Sequence, residues 1–244
     1  MSTLNGGPGN IVTNGLVLYL DAANYLSYTS GSTTWRDLSS SNLSGSLING
    51  PTYSSTNAGS IVFDGVDDYV SCPPLTSSID PNNGITLNYF VKISNRSKRN
   101  ILLSNYTTSS PFPGITGEIG TSAPWTNGLR WQVASNTSTA KVDIYVSNVI
   151  QNNTVYFVTF TFDFTTKTSK IYLNGVEQST TSRSINPNNV TTNWIQNVNL
   201  DLAADVTNSL FYLGNIYNAQ IYNRALTASE VLQNYNATKA RFGL

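Results

Sequence analysis

Short apolar or alternating runs, separated by turn-forming residues, recur along the chain. In residues 85–93 (ITLNYFVKI), the apolar positions 85, 87, 89, 91 and 93 share one face, and Thr86, Asn88 and Lys92 lie on the other. Residues 155–162 (VYFVTFTF) form the most apolar run and are predicted to lie in the interior of a sheet. Further strands are predicted at 16–20, 61–63, 69–72, 101–104, 129–134, 142–146, 169–175, 210–214 and 216–222.

Residues 61–63 and 69–72 flank a turn-rich segment, residues 64–68, which reads Asp-Gly-Val-Asp-Asp. Two short strands on either side of such a turn predict a β-hairpin. The Asn-rich residues 181–200 contain no clear strand pattern and are predicted to form a long loop.

One helix is predicted near the end of the chain. Thr227 and Glu230 have the spacing of a capping box, in which each side chain satisfies a backbone amide of the first turn. Val231, Leu232 and Tyr235 then fall on one helical face, which predicts a helix over residues 228–236.

Many strands without intervening helices predict an all-β fold, in which two antiparallel sheets pack as a jelly-roll sandwich with one short C-terminal helix. We expect residues 1–14 to form a flexible arm and residues 15–244 to form a single domain. The 39% of hydrophobic and 11% of aromatic residues supply enough apolar surface for a folded core, although only 11% of residues are charged.

Charge and cysteine content exclude several functions. The formal net charge is zero, and the densest basic cluster, Arg96, Lys98 and Arg99, is interpreted as a solvated loop, so nucleic-acid binding is not expected. The single cysteine, Cys72, excludes an internal disulfide and is interpreted as a small buried residue. The start of the chain lacks the pattern of a signal peptide, and no apolar run is long enough for membrane insertion.

Several motifs occur in an order that resembles a known family. They are GLVLYLDAANYLSY at 15–28, WRDL at 35–38, SIVFDGVDDYV at 60–70, IYLNG at 171–175, and GNIYNAQIYNRAL at 214–226 with the segment that follows it to residue 244. Together they resemble the laminin-G-like, pentraxin-like jelly roll of the concanavalin A-like lectin/glucanase superfamily. The Asn- and Thr-rich sequence is also similar to virion proteins of tailed bacteriophages. The lone cysteine and the missing signal peptide fit a virion assembled in a reducing host cytoplasm.

The residues do not predict catalysis. The chain contains no histidine, which excludes Ser-His-Asp and Cys-His catalysis and any histidine-ligated zinc. The superfamily includes glycosidases, which need paired carboxylates. Glu118, Glu177 and Glu230 lie in separate segments, and Glu230 already belongs to the capping box. We therefore expect the protein not to be an enzyme.

Calcium is the metal ion that the resemblance implies, and it prefers several hard oxygen ligands. Asp64, Asp67 and Asp68 cluster in one turn and could supply them, and Asp21 and Asp37 could contribute. The alternative is that these aspartates only shape the turn.

Exposed aromatic rings are the other candidates, because a sugar ring can stack on them. The rings predicted to lie in or near loops are those of Trp125, Trp131 and Trp194. The alternative for each is packing in the core or between subunits. Tyr106, Phe112 and residues 109–114 could form a rim beside such a site.

The leading hypothesis is a non-enzymatic bacteriophage virion protein, either a capsid decoration or a tail-associated subunit, that contacts other virion proteins and binds host-surface carbohydrate. A free carbohydrate-binding lectin module and a glycoside hydrolase are the alternatives. The aromatic-rich, low-charge composition also predicts a homo-oligomer.

Overall fold

The computed structural model describes residues 10–107, 113–135, 141–205, 207 and 209–244. These residues form β-strands and one α-helix, with short 3-10 turns between them. The strands are β1 (Leu16–Asp21), β2 (Thr34–Trp35), β3 (Gly45–Ile48), β4 (Thr52–Ser54), β5 (Ser60–Asp64), β6 (Tyr69–Cys72), β7 (Ile85–Ile93), β8 (Arg99–Ser104), β9 (Gly114–Ser122), β10 (Trp125–Ala134), β11 (Lys141–Val146), β12 (Val155–Asp163), β13 (Thr168–Leu173), β14 (Val176–Glu177), β15 (Thr181–Ile185), β16 (Leu200–Leu202) and β17 (Leu213–Tyr222), and the helix is α1 (Ala228–Lys239).

The strands pair in two antiparallel sheets. In sheet A the order is β14-β13-β12-β7-β17-β5-β4, and β1 also pairs with β17. In sheet B the order is β15-β11-β10-β9-β8-β16-β6-β3-β2. The predicted all-β fold of two antiparallel sheets with one short C-terminal helix is confirmed, and it is consistent with a jelly-roll sandwich.

The main core lies between the two sheets and follows from strand alternation. The five apolar positions predicted to share a face of β7 are all in this core, as are Leu129, Trp131 and Val133 of β10. The Trp131 ring stacks on Phe160 of β12, with the ring centroids 5.4 Å apart, so the stack joins sheet B to sheet A.

Helix α1 covers the outer face of sheet A. Its capping box is present as predicted, since Thr227 Oγ1 accepts from the Glu230 amide at 3.3 Å and Glu230 Oε2 accepts from the Thr227 amide at 2.9 Å. Hydrogen bonds from the Arg224 guanidinium lower the pKa of the Glu230 carboxyl to about 2. The helix runs to Lys239, three residues beyond the predicted end at residue 236.

Residues near both ends of the described chain make polar contacts with the rest of the domain. The Val12 amide donates to Asn234 Oδ1 at 2.8 Å, and the Tyr222 hydroxyl donates to the Val12 carbonyl at 2.9 Å. Ile11 and Val12, which belong to the predicted arm, are buried against the rest of the domain. Residues 1–9 of the arm lie outside the described part of the chain. Near the other end, Arg241 Nη1 lies 2.7 Å from Asp21 Oδ1.

The hairpin predicted around residues 64–68 is wrong. Strand β5 pairs with β4 and β17 in sheet A, whereas β6 pairs with β3 and β16 in sheet B. The turn therefore carries the chain from one sheet to the other. A run of turn residues shows that the chain changes direction, but it does not determine which strand each neighbour pairs with.

Two further boundaries differ from the prediction. Residues 181–185 of the predicted loop form strand β15, which pairs with β11 at the edge of sheet B. The predicted late strands at 210–214 and 216–222 are replaced by one strand, β17, which begins at Leu213 and shifts register between Ile216 and Asn218 where it pairs with β7. Residues 210–212 precede it. In the part of the chain that the structure describes, no helix has the length and apolar character needed to cross a membrane.

Candidate functional site

The outward face of sheet B carries polar and charged side chains. Because Leu129, Trp131 and Val133 point into the core, Arg130 and Gln132 point outward from β10. Their register partners on β9 are Glu118 and Thr116. Strand alternation thus places these four side chains side by side on one surface.

An ion-pair network forms the floor of this surface. Arg99 donates to both oxygens of Glu118 at 2.7 Å, and Arg130 donates to Glu118 Oε1 at 2.7 Å. Arg130 also donates to both oxygens of Asp143 on β11 at 2.8 Å. Burial opposes the charge of Arg130, but the hydrogen bond to Asp143 and the charge of Glu118 outweigh it and raise the Arg130 pKa.

The two carboxylates of the network are inaccessible. The side chains of Glu118 and Asp143 are 0% exposed, whereas the Arg99 side chain is 33% exposed. Both oxygens of Glu118 accept hydrogen bonds from guanidiniums. Because the side chain is also closed to solvent, this geometry does not place a carboxyl where a general acid would meet a ligand.

A pocket of about 270 Å³ lies over the network, and we call it the Tyr106 pocket. Its lining side chains come from β8, β9, β10 and the segments after β8 and β16. They are Arg99, Tyr106, Thr116, Glu118, Arg130, Gln132 and Thr207.

The Tyr106 ring is held in place at this pocket. It is half-buried, and its hydroxyl donates to Asp205 Oδ2 at 3.2 Å. Burial and the Asp205 carboxylate raise the pKa of Tyr106 to about 12, so the phenol stays protonated at neutral pH. Asp205 also accepts from Thr207 Oγ1 at 2.6 Å and from the Ser209 amide at 2.7 Å. The result is an anchored, amphipathic ring beside a row of hydrogen-bonding groups.

A second pocket, of about 490 Å³, lies on the same face, and we call it the Tyr69 groove. It is lined mainly by side chains of β3 and β6 and by the residues that follow β6. They are Ser44, Ser46, Ile48, Tyr69, Ser71, Cys72, Pro73, Pro74 and Asn199. Strand β16 separates the groove from the Tyr106 pocket in the strand order.

The three tryptophans predicted to stack on a sugar are buried. Trp125, Trp131 and Trp194 are each 0% exposed, and the Trp194 indole donates to the Pro81 carbonyl at 2.9 Å. None of them offers a ring face to a ligand, so the stacking role does not fit the structure, in which all three rings are packed in the interior. The alternation of side chains along β10 already indicated burial for Trp131, since it places this residue on the same face as Leu129 and Val133.

The predicted rim is found in part. Tyr106 lines the pocket that bears its name, while Phe112 and residues 109–111 of the predicted rim loop lie outside the described residues. Arg99, interpreted from the sequence as part of a solvated loop, is instead paired with Glu118. Sequence reasoning gave no role to Arg130, Gln132 or Thr116, although their alternation with core residues marks an outward face.

The three clustered aspartates come together at the corner between β5 and β6. The carboxylate oxygens of Asp64, Asp67 and Asp68 lie within 4.8 Å of one another. Asp64 and Asp67 are exposed, and burial followed by the charges of Asp64 and Asp67 raises the pKa of the Asp68 carboxyl. Three hard oxygen donors at this spacing could hold a divalent cation.

The other two predicted calcium contributors have partners elsewhere. Asp21 is paired with Arg241, and Asp37 accepts from the amides of Tyr19 and Leu43 at 2.8 and 2.9 Å. Both carboxylates therefore hold the fold together and do not join the aspartate cluster. Cys72 is buried as predicted, and this burial raises the pKa of its thiol.

The chain matches a protein-family model. A laminin G-type family model described as the concanavalin A-like lectin/glucanases superfamily matches residues 64–232, which is more than half of the chain. Comparison with curated proteins finds no sequence match.

Solved structures share the fold at low identity. The binding domain of Paraclostridial Mosquitocidal Protein 1 is 18% identical with a TM-score of 0.67, covering 91% of this chain and 52% of that one. The botulinum neurotoxin serotype G binding domain is 15% identical with a TM-score of 0.67, covering 90% and 50%. Trypanosoma rangeli sialidase in complex with the inhibitor DANA is 15% identical with a TM-score of 0.64, covering 96% and 34%. The chain thus spans about half of each toxin domain and a third of the sialidase.

Proposed function

The chain belongs to the concanavalin A-like lectin/glucanases superfamily, and we propose that it is a non-enzymatic domain that binds carbohydrate in the Tyr106 pocket. The observation that carries the proposal is the anchored Tyr106 ring beside outward Arg99, Thr116 and Gln132. A sugar presents an apolar ring face and a rim of hydroxyls. An aromatic platform next to fixed donors and acceptors matches both features.

The similar structures support recognition as the function class. Two of them are described as binding domains of toxins, and the third is a sialidase bound to an inhibitor. Hydrolysis is the weaker candidate for this chain because Glu118 is held between two guanidiniums and is inaccessible. Glycan turnover that is lost on changing Glu118→Gln, in a variant that still folds, would be evidence for the hydrolase.

We further propose that this domain is part of a tailed-bacteriophage virion, as a capsid decoration or tail-associated subunit facing the host surface. The support is the resemblance of its motifs and its Asn- and Thr-rich sequence to virion proteins. Purified particles probed with an antibody to this chain should carry it at a fixed copy number. A chain found only in the unassembled fraction favours the free lectin module.

We also propose that the domain forms a homo-oligomer, on the basis of its low charge and aromatic content. Light scattering at micromolar concentration should give a mass that is a multiple of 26.5 kDa. A mass equal to that of one chain contradicts this proposal without affecting the carbohydrate site.

Replacing Tyr106 tests the carbohydrate site. Tyr106→Ala removes the stacking platform and is expected to weaken glycan binding by about tenfold or more, which corresponds to about 1.4 kcal/mol. Tyr106→Phe keeps the ring and should lose less than Tyr106→Ala. The measurement is a glycan array followed by isothermal titration calorimetry with the strongest glycan.

Tyr25→Ala serves as the matched control because Tyr25 is 70% exposed and lines neither pocket on sheet B. It should bind as the wild-type protein does. Equal affinities for Tyr106→Ala and Tyr25→Ala would place the binding site elsewhere.

We propose that the aspartate cluster binds calcium. Asp67→Asn should weaken calcium binding by about tenfold or more, because affinity at such sites follows the number of ligand charges. Protons compete with the ion for Asp68, whose pKa is raised, so affinity should fall as pH is lowered through that pKa. Calorimetric titration at several pH values measures both effects.

Asp80→Asn is the control for this experiment, since Asp80 is exposed and lies outside the cluster. It should leave calcium binding unchanged. Failure of the wild-type protein to bind calcium at millimolar concentration would show that the aspartates only shape the corner between the sheets.

A further inference from the structure

Two pockets share the outward face of sheet B, although the proposed function uses only one of them. We infer that the Tyr106 pocket and the Tyr69 groove are subsites for one linear oligosaccharide, which crosses strands β8, β16 and β6. This inference rests on the proposed function, because it presumes that the Tyr106 pocket takes a sugar. It adds a second site and a class of ligand, namely a chain of several sugar units with a neutral unit in the groove.

The strand order sets the distance that the ligand must span. The Tyr106 pocket is centred on β9 and its neighbours, and the Tyr69 groove on β6 and β3. Three strand spacings separate β9 from β6, which is roughly 14 Å at about 4.8 Å per spacing. A single sugar ring is shorter than this, so only a ligand of several units can occupy both sites at once.

The groove has the composition of a sugar site. Tyr69 and Ile48 are half-exposed register partners, and together with Pro74 they form an apolar platform. Hydroxyl and amide groups surround it, since Asn199 Nδ2 donates to Ser71 Oγ at 3.1 Å. The groove therefore repeats the combination of the Tyr106 pocket, an aromatic ring beside hydrogen-bonding groups.

Polar positions join the two sites. Asp201 of β16 is the register partner of Ser71 on β6 and of Ser104 on β8, and Ser104 is in turn the partner of Thr116 on β9. Ser71 Oγ donates to Asp201 Oδ1 at 2.9 Å. Ser104 is 0% exposed and Asp201 is 8% exposed, so these polar side chains form the floor beneath the path, and the ligand makes its contacts at the two pockets.

The charges of the two sites differ. The Tyr106 pocket contains Arg99, Glu118 and Arg130, whereas the side chains that line the Tyr69 groove carry no ionised group at neutral pH. The buried thiol of Cys72 has a raised pKa and stays neutral. A charged sugar placed in the groove would lose hydration without gaining a partner, so the unit bound there is neutral.

The test uses neutral oligosaccharides of increasing length. Cello-, malto- and chito-oligosaccharides of one to six units are titrated into the wild-type protein and into Tyr69→Ala by calorimetry. In the series that binds, affinity should rise by about tenfold or more between the shortest and the longest members. Tyr69→Ala should remove that gain and change the affinity of the shortest binding member by less than about twofold.

A second variant controls for the possibility that Tyr69→Ala does not fold. Asn199→Ala alters an exposed side chain of the groove and should also weaken only the long members. Equal affinity for short and long members, or a long-member affinity that neither variant changes, overturns the inference and leaves the proposed function intact. Absence of binding by every series, together with an empty glycan array, overturns the proposed function and the inference with it.

Discussion

Replacement of Arg130 by methionine is expected to lower the free energy of unfolding by about 3–5 kcal/mol. The change removes the guanidinium that pairs with both Glu118 and Asp143, whose side chains are 0% exposed. Glu118 keeps Arg99, whereas among the described residues the cation left near Asp143 is Arg183, whose Nη1 lies 4.0 Å away. A buried carboxylate without a close partner loses its hydration and gains little in return.

Urea denaturation followed by tryptophan fluorescence measures this loss. The matched control is Lys170→Met, which breaks an ion pair with Glu177 whose side chains are 44% and 46% exposed. Solvent screens such a pair, so the control should cost less than about 1 kcal/mol. If Arg130→Met were no more destabilising than Lys170→Met, the network would not organise the floor of the Tyr106 pocket.

Trp131→Ala is expected to cost about 3–5 kcal/mol of unfolding free energy. Trp131 is 0% exposed and its ring stacks on Phe160, so alanine leaves a cavity between the sheets. Trp131→Phe keeps an aromatic ring opposite Phe160 and should cost less than the alanine variant. Thermal and urea denaturation of the two variants give the comparison.

Glycan binding separates this role from ligand stacking. Folded Trp131→Phe should bind the glycan with the affinity of the wild-type protein, because the ring lies in the core and away from the ligand. Loss of binding in a Trp131→Phe variant of near wild-type stability would instead indicate that Trp131 contacts the ligand.

Local patterns predicted the elements that depend on neighbouring residues. The alternation of β7 identified the side chains that face the core, and the Thr227 and Glu230 spacing identified the start of α1. Both features are decided within a few residues along the chain. Strand pairing is not, and the runs on either side of residues 64–68 were assigned to one hairpin although they belong to different sheets.

The candidate site depends on pairing of this long-range kind. Arg99 and Glu118 are 19 residues apart, and Tyr106 and Asp205 are 99 residues apart. Their contacts exist only because the strand order places β8, β9 and β16 near one another. A formal net charge of zero also concealed the network, since paired and solvated charges contribute equally to that sum. The tryptophans drew attention as aromatic residues near loops, but large apolar rings are more often buried.

Carbohydrate is proposed to bind to the outward face of sheet B at the Tyr106 pocket. The most direct measurement is NMR mapping of backbone amide shifts during titration with the glycan selected on the array. We expect the largest shifts at Tyr106, Thr116 and Gln132, with the amides of α1 unchanged. Shifts confined to residues 64–68 or to α1, with none on β8, β9 or β10, would contradict it.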